Sequence, residues 1–227
     1  MRWIDDPSGR FPARPFYEAA ELDALGAALA REGTRRRAGT GRLDTDALLV
    51  LVEAHAGDLD LYADLEAEFG PGVEAVTEFR PGVAPIVRVE RRLAGDPRRE
   101  VRLRFTLAHE LAHVVLHREL WDRRFAEPAL LPDVAPRIEA AHSRTLEDPV
   151  GWLEWQAGYL AAALLVPAPR VRVRGRPPFA GTREGDRLVD RVARAFGVSP
   201  EAAAVRLGQL GCLREPADGR QGRLWGD

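Results

Sequence analysis

The chain has 227 residues, is 45% hydrophobic and 30% charged, and carries a net charge of −2. That composition excludes a disordered chain, and it has no basic excess of the kind that dominates binding to a phosphate backbone. The single cysteine, Cys212, excludes a disulfide framework and a cysteine-built zinc site within one chain.

The opening segment, MRWIDDPSGRFPARPFY, is polar and proline-rich, without the apolar run of a signal peptide. Residues 1–15 are expected to be an irregular arm, pinned by Trp3, Phe11 and Phe16. A helix is expected from Phe16 to Arg31, with Leu22, Leu25 and Leu29 on one stripe. The basic run TRRRAGTGR falls in a linker and is soon followed by acidic GDLDLYADLEAE, so it reads as a solvated loop. Asp44 is placed to cap a second helix, TDALLVLVEAH, which Gly57 ends. DLDLYADLEAEFG is ambiguous between helix and strand.

Two segments rich in β-branched residues follow, VEAVTEF (73–79) and APIVRVER (84–91). RPGV joins them, and Pro then Gly fits the central pair of a type II turn, so a hairpin is expected. APIVRVER is expected to present an edge where an extended substrate can add as a strand. Asp96 then caps, and Pro97 opens, a helix that runs unbroken to His117. Residues 118–147 read as irregular, with a short helix near RIEAAH. Asp148–Pro149 repeats the capping signal ahead of VGWLEWQAGYLAAALLV, and DRLVDRVARAFGVSPEAAAVRLGQLG reads as helix, turn at Gly197, then a helix capped by Ser199. The longest run of small apolar residues, AGYLAAALLV, is well short of the roughly 20 residues a spanning helix needs. The expected location is the cytoplasm, with no membrane partner.

The histidine-bearing helix carries the chemistry. His109, Glu110 and His113 form H-E-x-x-H. Residues four apart on a helix rise about 6 Å and face one side, so two imidazoles can meet one Zn2+ ion. Glu110 is rotated by about 100° from His109 and can act as the general base on a water beside that ion. His117 repeats the spacing, but a straight helix sets it about 12 Å from His109, too far to share the ion while His113 also binds. It is expected to sit behind the ligands. Glu119 stands where a metzincin would place its third histidine, but Leu116 occupies the glycine position that arrangement needs, so Glu119 reads as a surface charge.

The third ligand has a candidate in Glu154, the only carboxylate inside the later Asp–Pro helix. Ala157, Gly158 and Ala161 follow on the same face, and small residues let two helices pack closely. Glu154 can equally be a surface charge between Trp152 and Trp155.

Together these two segments resemble the ImmA/IrrE family of metallo-endopeptidases. The family pairs an R-F-T-x-x-H-E-x-x-H-x-x-x-H helix with a later E-x-x-A-N-x-F-A-A-x-L-L-M-P helix; here they read RFTLAHELAHVVLH and EWQAGYLAAALLVP. DLDLYADL, VTEFRPG, WLEWQAGY and FGVSPEAAAVRLGQLG extend the likeness over roughly residues 15–213. Gly158, Leu160 and Val166 replace the usual Asn, Phe and Met, none of them a ligand or the base, and the long gap from His113 to Glu154 suggests an inserted lid at 118–147.

The resemblance implies an α+β fold: a zincin-like metalloprotease domain, with a small sheet packed on the active-site helix, and a C-terminal helix-turn-helix-like appendage. The expected division is arm 1–15, protease domain 16–170, helical pair 182–213 and mobile tail 214–227. It implies one Zn2+ held by His109, His113 and Glu154, with Glu110 as general base and later proton donor. His142 and Tyr159 are candidates to stabilise the transition-state oxyanion. The implied partner is a helix-turn-helix (Xre-type) repressor, whose cleavage relieves repression of mobile-element or stress genes. The rival reading is a non-proteolytic anti-repressor, or a toxin-antitoxin-associated module, with structural zinc or none. Direct DNA binding is disfavoured because EAAAVRLGQL offers only Arg206 as a basic group.

Overall fold

The structure, a computed structural model, describes residues 1–36, 42–126, 137–140 (backbone path), 151–173 and 175–214. The N-terminal segment corrects the expectation of an irregular arm. β1 (Arg2–Asp5) and β2 (Ala13–Phe16) form an antiparallel hairpin with Trp3 opposite Pro15. The buried Asp6 carboxylate makes the connection, accepting from Ser8 Oγ at 2.6 Å, Ser8 N at 3.2 Å and Phe11 N at 3.1 Å. An aspartate that satisfies backbone donors this way replaces the apolar alternation by which a hairpin is usually recognised.

α1 (Ala19–Arg36) is longer than expected and takes in part of the presumed linker. Leu22 and Leu29 are buried and Leu25 packs against the core. α2 (Thr45–His55) starts where Asp44 accepts a bond from Ala47 N at 2.8 Å. The ambiguous stretch divides into β3 (Asp58–Ala63) and a short α3 (Leu65–Phe69).

β4 (Ala75–Glu78) and β5 (Ile86–Glu90) form the expected hairpin. Gly82 in the turn has φ of 73°, as the third residue of a type II turn requires. β5 is not an edge. The sheet order is β3-β5-β4-β6, with β3 parallel and β4 antiparallel to β5. β6 (Arg137–Ala140) pairs antiparallel with β4 and replaces the helix expected near RIEAAH.

A one-turn α4 (Arg91–Ala94) and a 3-10 turn (Pro97–Arg99), capped by Asp96, lead into α5 (Glu100–Ala126). α5 outruns His117 by two turns, so the start of the presumed irregular region is helical. Leu120 and Trp121 explain this, since both are buried in a cluster with Phe11, Phe79 and Leu153. Residues 127–136 and 141–150, with His142 and the Asp148–Pro149 cap, lie outside the described residues.

α6 (Gly151–Leu165) is buried on nearly every side and packs between α5 and α1. α7 (Arg183–Phe196) ends at Gly197, which has φ of 63°, and Ser199 caps α8 (Pro200–Gln209). These two helices are not an appendage. Leu188, Val192, Phe196, Ala203 and Leu207 share one continuous core with Leu107 and Leu111 of α5 and Leu160 and Leu164 of α6. Arg104 of α5 completes the join, its buried guanidinium donating to the carbonyls of Leu43, Phe196 and Gly197. The last two carbonyls belong to the electronegative C-terminal end of α7, which favours a cation there. Of the presumed tail, Arg214 is anchored to Pro178 O at 2.9 Å, and residues 215–227 lie outside the described residues. Among the described residues no helix is long and apolar enough to cross a membrane.

Candidate metal centre

α5 and α6 pack along their lengths, and the three expected ligands meet at that seam. His109 Nε2 lies 3.0 Å from His113 Nε2 and 3.1 Å from Glu154 Oε2, and His113 Nε2 lies 3.7 Å from Glu154 Oε1. A tetrahedral zinc ion, with bonds of about 2.0–2.1 Å, sets its ligand atoms roughly 3.3 Å apart. The observed spacings bracket that value, and one donor atom from each residue lies within 4.8 Å of the others. The donor set also suits a cation: two imidazole nitrogens face each other beside a carboxylate. Glu154 Oε1 is buried and has no hydrogen-bond partner among the described residues. His109, His113 and Glu154 therefore fit a metal ion, and the surface-charge reading of Glu154 does not hold.

The electrostatics of the metal-free chain show the same pull. Burial alone would raise the Glu154 carboxyl, but the two histidines outweigh it and hold it well below the usual carboxylate range. Burial pushes His109 down, but its hydrogen bond to Glu154 together with the negative charges of Glu154 and Glu110 outweighs this, leaving it above its ordinary value. Both shifts favour a positive charge at the seam.

Glu110 is fully buried, and burial pushes its carboxyl up to about 7. Oε2 accepts from Thr77 Oγ1 at 2.6 Å, while Oε1 has no partner among the described residues. One oxygen is thus held and the other is left to engage a water. Glu74, just ahead of β4, adds a second tie, accepting from Arg99 of the 3-10 turn at 2.7 Å and Arg102 of α5 at 2.5 Å. Thr77 was not singled out in the sequence. Its signal was a polar residue inside the strand VEAVTEF.

His117 is where helix geometry put it, behind the ligands. Its Nδ1 lies 3.0 Å from His113 Nδ1 and its Nε2 lies 3.1 Å from Gln156 Oε1. Burial and the neighbouring His113 push its pKa well down, so it is neutral. Gln156 was also missed; a polar residue two positions after Glu154 in an apolar helix was the available signal. Glu119 is an exposed partner of Arg123 at 2.7 Å.

Tyr159 is not brought to the cluster. Its ring packs on Trp155 and lies beneath the Arg206 guanidinium, and its hydroxyl interacts with Asp23 and Arg206. His142 lies outside the described residues. Arg206 is fully buried, 2.7 Å from Asp23 Oδ1 and donating to Val166 O at 3.1 Å. The one basic side chain of α8 is therefore spent inside the core.

The sequence model of one family, peptidase M78 described as the IrrE N-terminal-like domain, matches residues 92–208. The match takes in both site helices and just over half of the chain, and the chain belongs to that family. Membership supports a metallopeptidase type of function and implies a metal. No curated protein and no solved structure matches the chain.

Proposed function

We propose that this member of the M78 peptidase family is a zinc-dependent endopeptidase of the cytoplasm that cuts a helix-turn-helix repressor and so relieves repression of mobile-element or stress genes. The observation that carries the reading is the convergence of His109, His113 and Glu154 beside a buried carboxylate held by Thr77. A zinc ion bound there supplies Lewis acidity, polarising the scissile carbonyl and making water a better acid. Glu110 takes the proton of the attacking water on its unpartnered Oε1 and later returns it to the leaving amine. Thr77 keeps that carboxylate in one orientation throughout, since its hydroxyl donates to the other oxygen. Burial of Glu110 excludes bulk water as a competing proton source. The oxyanion requires a further donor, and His142 stays a candidate for it. β5 is enclosed on both sides, so an extended substrate would add instead at an outer strand of the sheet, and β6 pairs only with β4 among the described residues.

The test is incubation of the purified protein with a helix-turn-helix repressor from the same genome, with and without a chelator. Zinc-dependent appearance of repressor fragments is expected. Loss of operator binding without any new fragment would instead favour the non-proteolytic anti-repressor.

A further inference from the structure

We propose that His117 and Gln156 are positioning residues, links in a hydrogen-bond relay from the N-terminal hairpin that holds His113 in its Nδ1–H tautomer and leaves Nε2 bare for a metal ion. The inference rests on the metal-site reading above and adds to it how one ligand is prepared.

The direction of every proton follows from the far end. Pro15 O is a carbonyl oxygen and can only accept, so the Gln156 side-chain atom 2.8 Å from it is the amide nitrogen. The other amide atom is then the oxygen, which also can only accept. It lies 3.1 Å from His117 Nε2, which must therefore carry the proton. A neutral imidazole has one N–H, so His117 Nδ1 is a bare acceptor. That atom lies 3.0 Å from His113 Nδ1, which must be the donor. In the neutral form that a metal ligand requires, the single proton of His113 is then used, and its Nε2 lone pair points at His109 Nε2 and Glu154. The reverse direction would require a backbone carbonyl to donate, so the relay has one solution.

The setting makes these bonds count. His113 and His117 are fully buried and Gln156 is nearly so, and buried polar groups depend on their protein partners. Groups behind a metal-bound histidine commonly set its tautomer and ring orientation. Here the outer partner is a second histidine one turn on, which accounts for the third member of the histidine series. The relay serves His113 alone: His109 Nδ1 is buried with no hydrogen-bond partner among the described residues.

Side-chain nitrogen NMR on the metal-free protein reads the tautomers directly. The expected result is Nε2–H for His117 and Nδ1–H for His113; the opposite assignment for either ring overturns the relay. Zinc affinity, measured by competition with a chromophoric chelator, gives a second readout. Gln156→Met removes the acceptor at near-constant volume and is expected to weaken zinc binding roughly 10- to 100-fold. Gln156→Glu keeps an acceptor for His117 while losing the donor to Pro15 O. Its zinc affinity should stay near that of the unsubstituted protein, although its metal-free form melts at a lower temperature. Unchanged affinity in Gln156→Met, or an equal loss in Gln156→Glu, would overturn the proposal. Expected tautomers in a protein that binds no zinc would support the relay and overturn the reading of the site on which it rests.

Discussion

Thr77 Oγ1 lies 2.6 Å from Glu110 Oε2, across the seam between the middle of β4 and α5. Both residues are fully buried, so neither group can turn to water if the other is lost. Thr77→Val keeps the shape and deletes the hydroxyl. It is expected to lower stability by about 1–3 kcal/mol in denaturant unfolding, the cost of a buried group left unpaired. Thr77→Ser should recover most of the loss; an equal loss in both variants would assign the effect to packing.

Glu110→Gln retains an oxygen that can accept from Thr77 but has no carboxylate to take a proton. Cleavage is expected to fall by about two to four orders of magnitude, the usual contribution of a positioned general base. Bound zinc per chain should not change, as measured by metal analysis after dialysis. Full peptidase activity in this variant would sink the assignment of the base.

Among the described residues Glu154 is the candidate ligand that α6 supplies, so metal binding should stabilise the join between α5 and α6. A ligand that binds only the folded state, at a free concentration of 100 times its Kd, contributes about 2.7 kcal/mol. Zinc is expected to raise the melting temperature accordingly and a chelator to reverse it. Glu154→Ala should abolish most of the increment; the same zinc response in that variant would place the third ligand elsewhere.

Arg206 shows how burial changes the meaning of a charge. With Asp23 at 2.7 Å and Val166 O at 3.1 Å, it joins α8 to α1 and to the end of α6. Arg206→Met removes the ion-pair partner of Asp23, which is partly exposed and keeps the Tyr159 hydroxyl, and is expected to cost about 1–3 kcal/mol. Retention of the protein on a DNA column at low salt should be the same for both forms. A specific loss of DNA retention in the substituted form would revive the nucleic-acid reading.

A Cβ at Gly26 of α1 would lie 2.7 Å from the backbone carbon of Ala163 and 2.9 Å from Leu164 N. Those are backbone atoms of α6, which cannot give way as the end of a side chain would. Gly26→Ala is therefore expected to destabilise by about 1–3 kcal/mol despite its better helix propensity. Unchanged or increased stability, read by thermal unfolding, would show that α1 and α6 can separate slightly without cost.

The parts legible in the chain are those set by near neighbours. The Asp44, Asp96 and Ser199 caps, the Pro81–Gly82 turn and the spacing of His109, Glu110 and His113 all follow from rules acting within about four residues. For the same reason His117 could be removed from the ligand set by helix rise alone. The N-terminal hairpin was missed because Asp6 organises it through hydrogen bonds, which leave no apolar alternation to read.

The sequence by itself determined the chemistry: a helix bearing two imidazoles and a carboxylate in a metal-and-base spacing, with a second helix offering one more carboxylate. Only the tertiary structure decided which groups complete that chemistry. α6 is buried on nearly all sides, so it has no polar stripe to reveal its rotation. Its packing between α5 and α1 turns Glu154 and Gln156 toward the histidines and Tyr159 toward Asp23 and Arg206. The sheet acts likewise: β6 encloses β4, and β4 presents Thr77 to Glu110 from 33 residues away. These placements depend on how close-packed elements fit one another, and that is a property of the assembled core rather than of any local segment.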